Sequence, residues 1–90
     1  MEKVFKSGEI VTLDYRGTDM LHIILSHDLC NCCYYAFAIQ LVEDDDEADV
    51  IGIIEVDAND LHRRGRVVKS SELNGRCGIH VDRYLRNKGL

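Results

Sequence analysis

Hydrophobic and polar positions alternate along much of this chain, with the period of two that marks half-buried strands. Val11, Leu13 and Tyr15 alternate with Thr12 and Asp14 and predict a first strand. Arg16-Gly17-Thr18-Asp19 has turn composition, and Leu21 to Leu25, apolar except for His22, predicts a second strand. Ser26-His27-Asp28 with Asn31 reads as a loop. Tyr34 to Val42 and Val50 to Val56 are long apolar, β-branched runs separated by Glu43–Asp49, where six of seven positions are acidic. Like charges at that density repel and hold the segment in solvent, so the two runs predict a long hairpin with an acidic tip. Gly52 inside the second run predicts a bulge or a sharp bend. Asp57-Ala58-Asn59-Asp60 can cap a short helical turn near 58–64, Arg66 to Lys69 predicts a short strand, and Ser70 to Gly75 a loop or one 3₁₀ turn. The C-terminus reads two ways. Cys77, Ile79 and Val81 alternate as a strand, whereas Val81, Tyr84, Leu85 and Lys88 have helical spacing.

Ninety residues without a repeat, a linker or a proline predict a single domain spanning 1–90. Several short strands at close spacing predict a mainly β fold of five to six strands, a barrel or a sandwich, with the turn near 58–64 and an optional C-terminal helix. A hydrophobic fraction of 46% suits a globular chain and argues against disorder. A core this small gains from a metal, a disulfide or a partner subunit. No apolar run approaches a membrane span, and Met1–Lys6 has no signal-peptide stretch, so the expected location is cytoplasmic, with the four cysteines as thiols or metal ligands.

Charge is unevenly spread. Residues 1–60 carry three Lys/Arg against fourteen Asp/Glu, whereas residues 61–90 carry eight against two. Either folding intermixes the two sets on one surface, or the asymmetry serves a charged partner or a self-complementary dimer.

The order of these features resembles a known family. Gly8-Glu9-Ile10-Val11-Thr12-Leu13-Asp14 is similar to the opening strand of MazF/PemK-type toxins, and Ile23-Ile24-Leu25-Ser26-His27-Asp28-Leu29-Cys30-Asn31 to their second signature, an apolar strand ending in Ser-x-Asp with Asn three residues later. Ala36 to Val42 sits where that family places its next core strand, and Gly78-Ile79-His80-Val81-Asp82-Arg83 is loosely similar to its late strand. The resemblance implies an SH3-like barrel that often forms two-fold dimers. It also implies metal-independent cleavage of single-stranded RNA, restrained by an antitoxin peptide. The family's chemistry rests on an Arg just before the second signature strand and a Ser or Thr at the end of the next. A guanidinium there positions a phosphate and stabilises its developing charge. In this chain those positions fall near Met20 and Gln40, the usual Pro is missing, and the nearest arginine is Arg16 in the preceding turn.

Other constellations carry chemistry of their own. Cys30-x-x-Cys33 and Cys77-x-x-His80 have zinc-knuckle spacing, which makes these four residues candidate ligands for a structural zinc. The 43 residues between the two halves exceed the usual ribbon gap, and reduced core thiols explain the same residues. His27 and Asp28 beside the cysteines would suit a Cys–His nucleophile, but no oxyanion motif accompanies them. His22 in its apolar strand reads as a strand residue rather than a ligand. His62-Arg63-Arg64-Gly65-Arg66 is a basic patch, with Arg63, Arg64 and Arg66 able to hold phosphate or simply to solvate a turn. Asp44, Asp45, Asp46 and Glu47 either solubilise the hairpin or present an acidic strip to a basic groove.

Three functions follow as expectations. The first is a non-enzymatic interaction module on a MazF-like barrel, acting on a protein partner as small acidic nuclease inhibitors of phage origin do. The second is a toxin-type endoribonuclease using Arg16, with the basic patch steering RNA. The third is a zinc-stabilised binding domain. No cofactor other than zinc is expected.

Overall fold

The computed structural model describes residues 4–15, 18–42, 47–73 and 75–88, and at 15, 18, 41–42, 47–49, 70, 75–77, 80 and 88 it describes the backbone alone. Its strands are β1 (Ile10–Tyr15), β2 (Thr18–Asp28), β3 (Cys33–Val42), β4 (Glu47–Asp57) and β5 (Arg66–Val68). Helix α1 (Ala58–Arg64) links β4 to β5, and a 3₁₀ turn at Ser70–Glu72 leads into helix α2 (Gly75–Lys88). The strands form one antiparallel sheet in the order β4-β3-β2-β1-β5. The mainly β class expected from the alternation is therefore what the chain adopts. The sheet is not closed: among the described residues β4 and β5 are its two edges, with no ladder between them.

Register divides the strands into two faces. Val11, Leu13, His22, Ile24, Tyr34, Ala36, Ala38 and Val56 share one face through their cross-strand pairing. Phe5 and α1 residues Ala58 and Leu61 pack on it, and this cluster is almost wholly buried. The opposite face carries Ile10, Leu21, Ile23, Phe37, Ile39 and Val68, covered by Leu73 and by Val81, Tyr84 and Leu85 of α2. Both faces of β2 are therefore buried, which is why Leu21–Leu25 is a nearly continuous apolar run rather than a strict alternation. Two bulges interrupt the pairing. Leu25 is the extra residue between Ile24 and Ser26, and Ile51 is the extra residue beside Gly52 (φ +106°).

Helix α1 starts where Asp57 supplies a cap, its carboxylate accepting the Asp60 amide at 3.1 Å. It ends at Gly65, where a Cβ would strike the Leu61 carbonyl and the Val11 side chain. The ambiguous C-terminus resolves as a helix. Val81 is fully buried while Ile79 is 56% exposed, so these two residues do not share the face a strand would give them. Val81, Tyr84 and Leu85 instead form an i, i+3, i+4 stripe against the sheet. The expected loop at Ser26–Asp28 is also corrected. β2 continues through Asp28, because beyond the Leu25 bulge its residues pair with Tyr35, Tyr34 and Cys33. The turn proper is 29–32, where the Asp28 carboxylate accepts from the amides of Cys30 and Asn31 and from the Asn31 side chain. Those bonds, the Asn31 side chain foremost, hold the Asp28 carboxyl below its ordinary range.

Candidate functional site

β4 is an eleven-residue edge strand, bonded among the described residues to β3 on one side only. Half-buried antiparallel strands usually turn their apolar side chains inward and their polar ones to water. β4 departs from this. Ile54 and Val56 pack inward, but Val50, Ile51 and Ile53 are 50%, 48% and 64% exposed. The bulge causes part of the departure, since an extra residue at Ile51 shifts the side-chain alternation along the strand. Acidic positions bracket the exposed apolar stretch: Glu47 and Asp49 before it, and the exposed Glu55 and Asp57 after it. Where β4 meets α2, Phe37, Val50, Arg83, Tyr84 and Asn87 line a notch of about 140 Å³. Two of its lining rings, Phe37 and Tyr84, stack with centroids 3.8 Å apart.

A second concave site lies at the other end of the sheet. Val4, His27, Leu29, Cys32, Ala58, Asn59 and His62 line a cleft of about 290 Å³. Beneath it the buried Tyr34 ring stacks on His27 at 4.2 Å, and its hydroxyl accepts the Phe5 amide at 3.2 Å and meets His62 Nε2 at 2.7 Å. Because the hydroxyl accepts from Phe5, its own proton can bridge to a neutral His62. Cys32 holds its backbone at φ 52°, where its carbonyl accepts the Ala58 amide at 2.9 Å and so ties the loop to α1. In the sequence, His27 stands out beside the cysteines and His62 in the basic patch. Nothing there joins them, because 34 residues separate the two histidines.

The residues singled out from sequence scatter. Arg16 and Asp44–Asp46 lie outside the described residues, and Glu47 opens β4. Arg63 and Arg64 end α1 and Arg66 opens β5, all three exposed. Arg64 donates to the Asp14 carbonyl and so helps fasten α1 to β1. The row Leu13–Met20–Gln40–Asp49 runs across four strands, and Arg66 pairs with Thr12 in the neighbouring row. The basic patch and the start of β4 thus sit at the same end of the strands but on opposite edges of the sheet. Of the zinc candidates, Cys30 is exposed in the turn and Cys33 is buried at the start of β3, while Cys77 and His80 fall in the first turns of α2. Burial, then the hydrogen bond and charge of Glu55, push the Cys33 thiol up, the reverse of what a ligating thiolate needs. Tyr35 beside it is pushed up by the Cys33 sulfur and by Glu55. Among the described residues no group of three or more His, Cys, Asp or Glu is placed to hold a metal. Among them also, no helix is long and apolar enough to cross a membrane.

Met20 and Gln40, where the toxin resemblance places its Arg and its Ser or Thr, are direct cross-strand partners. The register brings the two positions together, occupied by a thioether and an amide. Neither group can supply the cation that the cleavage chemistry uses. A scan against protein-family models returns no match, and searches of curated proteins and of solved structures return none either.

Proposed function

We propose that this chain is a small acidic interaction module that captures a cationic partner protein on the β4 side of its sheet. The observation that carries the reading is the β4 edge itself: a long strand, open on one side, with an exposed apolar centre between acidic ends. Apolar area of this kind adds nothing to the fold's own core, and exposed apolar strands bordered by charge are a usual means of association. Met20 and Gln40, near the positions where the MazF/PemK resemblance places its reactive groups, favour a non-catalytic role, although the open sheet among the described residues departs from the closed barrel that the resemblance implies. A module of this kind suits an inhibitor carried by a phage or another mobile element, in which an acidic strip occupies a basic groove meant for nucleic acid.

The test uses a nine-residue synthetic peptide with lysines at both ends and isoleucines at its centre, titrated calorimetrically against the whole chain. Binding is expected to weaken with salt, because exposed charge pairs are screened. Replacing Asp44, Asp45 and Asp46 together by Asn should weaken it about tenfold, taking roughly 0.5 kcal/mol for each exposed charge pair. Single-stranded RNA incubated with the protein in EDTA should stay intact. Absence of binding at low salt, or binding indifferent to the triple substitution, overturns the reading. RNA cleavage that disappears in Arg16→Ala would replace it with the endoribonuclease. One zinc per purified chain would replace it with the metal-stabilised domain.

A further inference from the structure

We infer that β4 captures its partner by strand addition: an extended segment of a basic protein pairs with the open edge as a sixth strand and seats one apolar side chain in the notch between β4 and α2. This rests on the binding-module reading above and specifies how the partner is held.

The backbone argument comes first. In an antiparallel ladder, alternate residues direct their N–H and C=O groups to opposite sides. β3 satisfies one side of β4, and among the described residues no strand pairs with the other. Natural sheets blunt such an edge by making it short, by placing charged side chains (Lys above all) or Pro on it, by a bulge, or by covering it. β5, the other edge, follows the rule at three residues with Arg66 at one end and Lys69 following. β4 is eleven residues long with neither Lys nor Pro; its protection is one bulge and acidic residues confined to its two ends, which deter an acidic strand and leave the edge open to a basic one. Strand addition to such an edge draws affinity from main-chain bonds and specificity from pockets for alternate side chains.

The notch supplies such a pocket. Phe37, Val50 and Tyr84 give it apolar walls, and its volume of about 140 Å³ suits one branched aliphatic side chain. Arg83 and Asn87 also line it, so a lysine is disfavoured at that single position of the incoming strand.

Charge then selects the occupant. A second copy pairing β4 antiparallel about Gly52 would set Asp49 against Glu55 and Glu47 against Asp57. Centring the pairing one residue either way sets Glu47 against Glu55, or Asp49 against Asp57. Like charges directly opposite are destabilising, so the acidic ends act against self-pairing. A second copy's β5 has the right charge but offers only three residues of ladder, well short of a stable interface. A longer segment from another protein, with basic residues flanking an apolar centre, satisfies the backbone, the notch and the charge together.

Hydrogen exchange followed by NMR on the whole chain, with and without the same lysine–isoleucine peptide, tests this. Alternate amides between residues 47 and 57 should slow by about tenfold or more on binding, and Val50→Lys, at an exposed position, should weaken the peptide about tenfold. Peptide binding without new protection on β4, or unchanged by Val50→Lys, overturns strand addition while leaving the binding module standing. No binding at low salt overturns both. Sedimentation of the protein alone should show a monomer, and salt-sensitive self-association would assign the edge to a second copy instead.

Discussion

β2 and β4 are both eleven residues long, both rich in isoleucine and both interrupted by one bulged residue, yet they do different work. β2 pairs with β1 and β3 and is buried on both faces, from Leu21 to Ile24. β4 pairs only with β3 and leaves Val50, Ile51 and Ile53 largely in water. The apolar content of β2 is accounted for by two packed clusters, one under each helix. Only part of that of β4 is, through Ile54 and Val56. The difference separates residues that the fold requires from residues it merely carries, and the second set is where an interaction surface is to be sought.

Alanine substitution breaks the comparison most forcefully. Ile23 is fully buried at the centre of β2, and Ile23→Ala should cost about 2–5 kcal/mol, the range for deleting a large buried aliphatic side chain. Ile53→Ala at the open edge should stay within about 0.5 kcal/mol, because most of that side chain is already hydrated. Urea unfolding of the two variants measures both. Comparable losses would mean that β4 is covered in the folded molecule, and the proposed docking edge would go with it.

The contrast also separates what the sequence makes legible from what it hides. Alternation in Val11–Tyr15, the two long apolar runs around the acidic segment, the Asp57 cap and the Gly52 irregularity all lie within a few residues of their own cause. Each appears in the fold close to where the pattern puts it, except that the strand after the acidic segment starts at Glu47 rather than Val50, because Glu47–Asp49 extend the ladder with β3. What stays hidden depends on pairing over distance. Nothing local distinguishes an apolar strand at an edge from one at the centre, because the distinction lies in whether a fifth strand returns beside β1 or beside β4. The same holds for the cleft, where His27, Tyr34 and His62 meet only because α1 folds back over β3. Cys77, Ile79 and Val81 mislead as an alternating set, since three positions are too few to separate a period of 2 from one of 3.6.

The two bulges sharpen the comparison at the level of the backbone. Leu25 in β2 adopts an ordinary negative φ, whereas Gly52 in β4 sits at +106°, a region that side chains rarely enter. A Cβ built on Gly52 meets no atom within 4 Å, so substitution there changes backbone strain and nothing else. Gly52→Ala should therefore destabilise by about 1–3 kcal/mol while leaving the sheet intact by circular dichroism. A loss below about 0.3 kcal/mol would show that the bulge relaxes, and with it the register that exposes Ile51 and Ile53.

The smallest effect separates the strands by pH, since β2 carries a buried histidine and β4 carries none. His22 Nδ1 lies 3.2 Å from the Val11 carbonyl, and burial lowers the ring's pKa below the ordinary 6.5, with the backbone carbonyls of Val11 and Met20 opposing. The unfolded chain takes up that proton near pH 6.5, the folded chain only at lower pH. Between those points the unfolded state binds more protons, so the contribution to stability is full above pH 6.5 and declines as pH falls towards the folded value. One proton limits the slope to about 1.4 kcal/mol per pH unit. His22→Gln removes the titrating ring and should flatten unfolding free energy between pH 7.5 and 5.5 relative to the parent chain. Asp28, whose carboxyl is held low, acts only below about pH 4 and does not enter that window. An equal slope in both proteins would remove His22 as the source of the acid sensitivity, and it would then be a core residue whose charge state folding does not select.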